Sequence, residues 1–352
     1  MKIFAEIIDA PTLSLEQILQ TALSYSSKGA DVIDIGCQPD TPFPMLEVVV
    51  KTLKDKGLKV SVDSGEISEL RRAAMAGADY VLSLDETSID VVSNSSCTPI
   101  LVPKPHGDLA SLLRAIDKAN DLGIAHIADP ILDPINFGFT GSIERYVELR
   151  KLRPHTEILM GTGNLTELTD ADSLGVTAAL LGIASELRIT NLLIVQVSPH
   201  TRRTIEEHDV TRRVMFRSRE DRTLPKGLDG RLLSLHDLMP YLSEPKDIEK
   251  MYREVKDTNF RIEVAVDGIH IYNRNGHYIS QDPFDVFSKL EVEHDGSHAF
   301  YLGYELAKAE IAFNLGKRYS QDNPLDWGVS SLKKSNIQIH HAPIGEKNIK
   351  KV

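Results

Sequence analysis

Leu58-Lys59-Val60-Ser61-Val62-Asp63, followed at once by Ser64-Gly65-Glu66, is the stretch whose reading decides the fold. Residues 59–62 have the apolar, β-branched character of a strand buried on both faces, and the Ser-Gly-Glu behind them has the chemistry of a helix start. Asp63 therefore stands at a strand end. Asp34 and Asp129 close two other apolar runs in the same way. In parallel α/β architecture ligands sit at the carboxyl ends of the strands, so three carboxylates at three strand ends predict one shared mouth.

Working outward, apolar runs at residues 3–8, 31–35, 59–62, 80–84, 99–102, 125–128, 157–160 and 192–197 alternate with longer amphipathic stretches. This alternation, from residue 1 to about 218, predicts repeated βα units on a parallel sheet. Gly29, Gly57, Gly77 and Gly123 each come just before a run, where a helix end with positive φ takes glycine most readily. Eight units predict a (βα)8 TIM barrel; the alternative is an open doubly wound sheet.

The 352 residues exceed the usual single domain, so a core domain with a smaller companion is expected. A hydrophobic content of 41% is ample for a core, and a formal charge of -11 argues against a nucleic-acid surface and for a small-molecule ligand. Cys37 and Cys97 are too few for a disulfide framework or zinc cluster, and no apolar stretch has the length of a membrane span. The start Met1-Lys2-Ile3-Phe4-Ala5-Glu6 runs straight into a strand pattern without a secretory apolar region, so a soluble cytoplasmic protein is expected.

Between Thr201 and Lys226 eight arginines and lysines face five acidic residues, which reads as a solvated last barrel helix or, alternatively, a phosphate-binding patch. Residues 219–258 are expected to connect the barrel to a small α+β domain at 259–332. There, runs at 261–266 and 270–272 alternate around Asp267-Gly268, and a helix over 299–315 places Leu302, Leu306 and Phe313 on one stripe with Gly316 as its stop. Residues 333–352 read as a tail.

The set Gly29-Ala30-Asp31-Val32-Ile33-Asp34-Ile35-Gly36, Val60-Ser61-Val62-Asp63, Gly77-Ala78-Asp79, Asp129-Pro130 and Gly161-Thr162-Gly163-Asn164 resembles the pterin-binding barrel family, which includes dihydropteroate synthase and methyltetrahydrofolate-dependent methyltransferases. The opening Ala5-Glu6-Ile7-Ile8-Asp9-Ala10-Pro11 and Asp129-Pro130-Ile131-Leu132-Asp133-Pro134 are similar to the synthase-related proteins of methanogenic archaea and some methylotrophs. The segment from His298 to Glu310 with Tyr319-Ser320-Gln321-Asp322 resembles a small domain of uncertain role attached to methanogen methyltransferase subunits. The resemblance implies a reduced pterin ligand, tetrahydromethanopterin or a precursor, within one-carbon metabolism. It also raises a homodimer and a methyltransferase partner as assemblies.

Chemistry agrees with that implication. A pterin presents an aminopyrimidinone edge with adjacent N–H donors, and a carboxylate accepts two of them in a fork. By the resemblance, Asp63 and Asp129 hydrogen-bond the ring and Asn164 stands near its reactive nitrogen, with Ser83 as the polar neighbour where the family has a fourth-strand asparagine and this chain has Leu82. Asp9, Asp34, Gln38, Lys104 and Gln196 are expected around the mouth, Asp9 also as a ligand for magnesium. Plainer readings stay open. Asp63 caps a helix, Asp129 precedes a proline turn, Asn164 is a turn residue, Asp34 is a buried structural carboxylate, and Lys104 and His106 are loop residues ahead of a helix capped by Asp108. Glu293-His294-Asp295-Gly296-Ser297-His298 has metal-ligand types but sits just before a helix, where Asp and Ser act as caps, and is read as that helix start rather than a metal site.

Departures from the synthases are equally specific. The second strand leads into Cys37-Gln38-Pro39-Asp40-Thr41-Pro42 without the synthase arginine, Leu165 stands for a lysine, and Gln196-Val197-Ser198 replaces an Arg-x-His element. Expelling diphosphate needs cations or a metal to stabilise developing charge. The expected function is therefore a transferase that joins or moves a group on a reduced pterin, with methyl transfer to a partner-bound acceptor or non-catalytic pterin binding as alternatives.

Overall fold

The computed structural model describes residues 1–331, so the expected tail at 333–352 lies outside the described residues. Eight parallel strands, β1 (Lys2–Ile7), β2 (Val32–Gly36), β3 (Val60–Asp63), β4 (Tyr80–Leu84), β5 (Thr98–Leu101), β6 (Ile127–Ala128), β7 (Glu157–Gly161) and β8 (Asn191–Val195), pair in sequence order. β8 pairs back onto β1 through Phe4 opposite Leu193, which closes the barrel and rules out the open sheet. The strands are joined by α1 (Leu15–Lys28), α2 (Leu46–Asp55), α3 (Ile67–Ala76), α4 (Leu109–Asp121), α5 (Phe139–Leu152), the single turn α6 (Gly163–Thr166) and α7 (Ser173–Glu186); α8 (Thr204–Asp221) follows β8.

Local chemistry explains these elements. Ser14 and Gln17 form a reciprocal capping box at the start of α1, with Gln17 N donating to Ser14 Oγ at 3.2 Å and Ser14 N to Gln17 Oε1 at 2.9 Å. The link from β4 to β5 has no α-helix, only a 3-10 turn at Ile89–Val92. Its polar residues bond their own backbone instead: Asp85 Oδ1 accepts from Thr87 N at 2.7 Å, and Asp85 N donates to Ser88 Oγ at 2.9 Å.

Two apolar layers result. Phe4, Val32, Tyr80, Leu82, Ile100, Ile127, Leu159 and Leu193 fill the barrel interior, while alternate residues such as Ile3, Ala5, Ile33, Ile35, Val60 and Val62 pack outward with the helices. Period-two alternation then dictates that Glu6, Asp34, Ser61, Asp63 and Asp129 share the inward parity.

The first compact unit is Met1–Leu232 and the second begins at Leu233. In the second, β9 (Arg261–Ala265), β10 (Gly268–Asn273) and β11 (Gly276–Ser280) form an antiparallel meander. Besides the meander the unit contains α9 (Pro245–Glu254), α10 (Phe284–Phe287) and α11 (Gly296–Leu315). Ile248 of α9 packs with Ala265 and Tyr272, so part of the expected connecting segment is structural core. On α11, Leu302, Leu306, Ala309 and Ala312 cover Ile262, Val264, Ile269 and Ile271. Asp295 caps α11 by accepting from His298 N at 3.0 Å, and Gly316 ends it at φ 58°.

Gly77 closes α3 at φ 98°, and a Cβ there would meet no atom within 4 Å, so only backbone strain opposes a side chain. Gly77→Ala is expected to lower unfolding free energy by about 1 kcal/mol in a urea titration, with an unchanged slope.

Candidate functional site at the barrel mouth

Register sets the site. Glu6 lies opposite Asp34, Asp34 opposite Ser61, Gly36 opposite Asp63, and Asp63 opposite Leu82, so β1 to β3 present inward carboxyl groups side by side. Asp129 follows β6 directly, its backbone N held by Leu101 O at 2.8 Å. Gly36 makes room for the acid on β1, because a Cβ there would overlap Glu6 Oε1.

Asp34 is fully buried. Ser61 Oγ donates to its Oδ1, while Oδ2 has no hydrogen-bond partner among the described residues. Asp63 Oδ1 accepts from Ser83 Oγ at 3.2 Å, and Asp63 does not cap α3, where Ser64 Oγ accepts from Glu66 N at 3.0 Å instead. Asp129 Oδ1 accepts from Ile131 N at 2.8 Å and from the buried Tyr146 hydroxyl at 2.9 Å. Those two bonds fix the carboxylate plane and leave Oδ2 for a ligand.

Crowding and burial make these groups hold protons. Burial, then the charges of Asp63 and Asp9, raise Glu6 to about 7. Asp34 is driven well above the usual carboxylate range by burial and by Glu6 and Asp63, and Asp63 is raised by burial while the Ser83 hydroxyl opposes the shift. Burial brings Asp129 up to about 6 against the Ile131 and Tyr146 bonds. Like charges this close titrate as a set, so at neutral pH the cluster retains at least one proton.

The remaining expected residues line the loops above the strands. Gln38 Nε2 donates to Asp9 Oδ1, and Asp9 sits at φ 55°. Among the described residues no group of three or more His, Cys, Asp or Glu is arranged to hold a metal ion, and Asp9 stands beside Gln38 as a single carboxylate, of which magnesium can need only one or two beside water. Asn164, on α6, donates Nδ2 to Leu132 O at 2.7 Å, which leaves its amide oxygen available. Gln196 bonds the Arg202 carbonyl at 3.3 Å and Lys28 Nζ at 3.2 Å when its amide is oriented to satisfy both.

Lys104 and Arg145 are paired. Lys104 Nζ lies 2.9 Å from Asp85, and Arg145 reaches Asp133 at 2.7 Å and the Pro130 and Ile131 carbonyls at 3.1 and 2.8 Å. His106 bonds the other oxygen of Asp133 at 2.7 Å. This network braces the loop that carries Asp129.

Glu6 and Tyr146 were not among the expected site residues. Glu6 was within reach of the sequence, since it lies two residues after Phe4 on a strand whose parity that residue sets. Tyr146 reaches Asp129 from α5 across a turn that no periodicity reveals.

No family model matches the chain. An uncharacterized protein of Methanocaldococcus jannaschii is 29% identical over 367 aligned positions, spanning 92% of this chain and 69% of the relative. Among solved structures the chain is similar to Yersinia pestis dihydropteroate synthase with a pterin–sulfa conjugate, at TM-score 0.49 and 18% identity over 62% of this chain and 93% of that one. It is likewise similar to the Coxiella burnetii dihydropteroate synthase in complex with pteroic acid, at TM-score 0.48 and 18% identity over 62% and 94%. Both likenesses are distant and concern fold. No helix among the described residues is long and apolar enough to cross a membrane.

The Glu6 shift has a definite sign. An acid raised from 4.5 to about 7 contributes its stability in full below about pH 4.5 and loses it as pH climbs through about 7. Wild-type melting temperature should therefore fall between pH 5 and pH 8, and Glu6→Gln should flatten that fall, gaining on the order of 2 kcal/mol at pH 8. Parallel pH profiles for the two proteins would contradict this electrostatic account.

Proposed function

We propose that the barrel mouth binds a reduced pterin and that the protein moves or joins a group on it. The observation that carries this reading is the pair Asp63 and Asp129, which share inward parity at two strand ends, each with one carboxylate oxygen bonded to protein and the other uncommitted. An aminopyrimidinone edge supplies the N–H donors such oxygens accept, and the proton retained by the cluster meets the changing basicity of a reduced ring nitrogen.

Electrostatics favours one branch of that reading. Joining a fragment with loss of diphosphate would bring several negative charges to a mouth whose Lys104 and Arg145 are already tied to Asp85 and Asp133. Methyl transfer brings none. When a methyl group leaves a ring nitrogen, the nitrogen keeps the electron pair and takes a proton, and the raised acids Glu6, Asp34 and Asp63 would supply one. Asn164, donating to Leu132 O with its own oxygen free, suits a position beside a nitrogen whose protonation changes. The methyl acceptor would be carried by a partner protein, because the chain has no Asp-x-His-x-x-Gly corrinoid motif.

Calorimetric titration of wild type and Asp129→Asn with a panel of folate and methanopterin intermediates tests the pterin assignment. Wild type should bind at least one tetrahydropterin, and the substitution should weaken it at least tenfold, because an amide that keeps its oxygen toward Ile131 N and Tyr146 turns N–H donors toward the ligand where the carboxylate presents an acceptor. Binding left intact by Asp129→Asn would remove this residue from its role; no binding of any pterin by wild type would remove the proposal.

A further inference from the structure

Arg202 and Arg203 of the basic run after residue 200 stand in the loop between β8 and α8, on the mouth side, and the rest of the run turns away from the mouth. That remainder forms α8, whose C-terminal half lies at the opposite, amino-terminal end of the barrel strands. There, a cavity of about 660 Å³ is lined by Ser185, Arg188, Arg212, Phe216, Arg219 and Arg222, with Glu220 as the carboxylate among its lining residues. That volume is within the range of small-molecule sites.

The four guanidinium groups differ. Arg212 is held by Asp31 and by Asp209 at 2.7 Å, so its charge is locally balanced. Arg219 approaches Ser185 O at 3.4 Å and Glu220 at 3.6 Å, and its guanidinium carbon stands 5.8 Å from the centre of the Phe216 ring. Arg188 and Arg222 make no side-chain hydrogen bond or ion pair among the described residues. The C-terminal ends of α7 and α8 offset about half a charge each, which still leaves the cavity positive.

Backbone conformation adds a second, independent observation. Arg188 and Arg222 end α7 and α8 at φ 51° and 54°, the left-handed region in which Gly29, Gly57, Gly77 and Gly123 stand at other barrel helix ends. Glycine adopts that conformation without strain, so arginine at both ends accepts a conformational cost that places two unpaired guanidinium groups on one cavity. Phe216, 57% exposed, offers a flat apolar face beside them.

We propose that this cavity is a second ligand site, independent of what the mouth binds, for a nucleoside polyphosphate whose phosphates lie on Arg188 and Arg222 and whose base stacks on Phe216. Guanidinium groups match phosphate oxygens in a fork, and an aromatic ring supported by Arg219 suits a planar base. The overall charge of -11 favours a small anion in a local pocket over a nucleic-acid strand.

The test is calorimetric titration of the full chain with ATP, with inorganic pyrophosphate and with a single-stranded oligonucleotide, at two salt concentrations. ATP should bind, more weakly at higher salt. The double substitution Arg188→Gly and Arg222→Gly keeps the helix ends in their preferred conformation, so melting temperature should be unchanged or raised while ATP affinity falls at least tenfold. Phe216→Ala should weaken ATP at least threefold and leave pyrophosphate unaffected. The proposal is overturned if ATP does not bind at millimolar concentration, or if the double glycine variant binds it as wild type does. It is equally overturned if Phe216→Ala leaves ATP binding unchanged, or if the oligonucleotide saturates the site more tightly than ATP.

Discussion

Closing a parallel sheet into a barrel forces every second side chain of every strand toward one axis, and β8 pairing with β1 leaves no open edge by which a side chain could escape that choice. Lower in the barrel the inward positions are apolar, Phe4, Val32, Ile127 and Leu159 among them. One step toward the carboxyl ends, the same parity delivers Glu6, Asp34 and Asp129 instead. The acidic mouth is therefore a continuation of the core alternation with polarity reversed. Because the strands fix where these groups sit, their repulsion cannot relax by moving apart. It relaxes by binding protons, which is why Glu6 titrates near neutrality and why Asp34 keeps an unpartnered oxygen away from solvent.

How far the sequence revealed this can be judged residue by residue. Asp63 and Asp129 were legible because each ends a short apolar run ahead of a break, and strand periodicity then fixes their direction. Glu6 was overlooked for the converse reason: it lies inside its run, flanked by Ala5 and Ile7, where an acidic residue breaks no boundary. The β4 to β5 link departs from the general expectation of a helix after each strand, because Asp85, Thr87 and Ser88 satisfy their own backbone and only a 3-10 turn follows. Pairing of Lys104 with Asp85 and of Arg145 with Asp133 depends on loops that meet only after the barrel closes, so no spacing in the chain foretells it.

In the second unit, alternation across β9 and β10 placed the strands correctly, yet the polar order within them was invisible. His270 Nδ1 meets His277 Nε2 at 2.9 Å, His270 Nε2 meets Asp267 at 2.9 Å, and His277 Nδ1 meets Glu249 at 3.0 Å. The two rings thus link Asp267 and Glu249 in one continuous chain of hydrogen bonds. A chain of that kind stabilises the unit only while all members are in place, since losing any one leaves a buried polar atom unpaired. It couples α9 to the meander.

The barrel thus has ends of opposite character, carboxyl groups at one and guanidinium groups at the other. The longer strands, of five or six residues, separate them by roughly 17–20 Å, about twice the Debye length of roughly 8 Å at physiological salt. Direct attraction between a charge at one end and a ligand at the other is accordingly weak through solvent, and each end selects its ligand by local chemistry. Communication between them, if ligands occupy both, must pass through packing. The path is short: β8 begins at Asn191, next to the cavity-lining Thr190, and ends at Val195, against which Gly163 of the Asn164 turn packs so closely that a Cβ would lie 2.9 Å from Val195 Cγ2. A contact with no slack transmits displacement rather than charge, so any influence of the basic cavity on the mouth would be felt first at Asn164 and the turn that carries it.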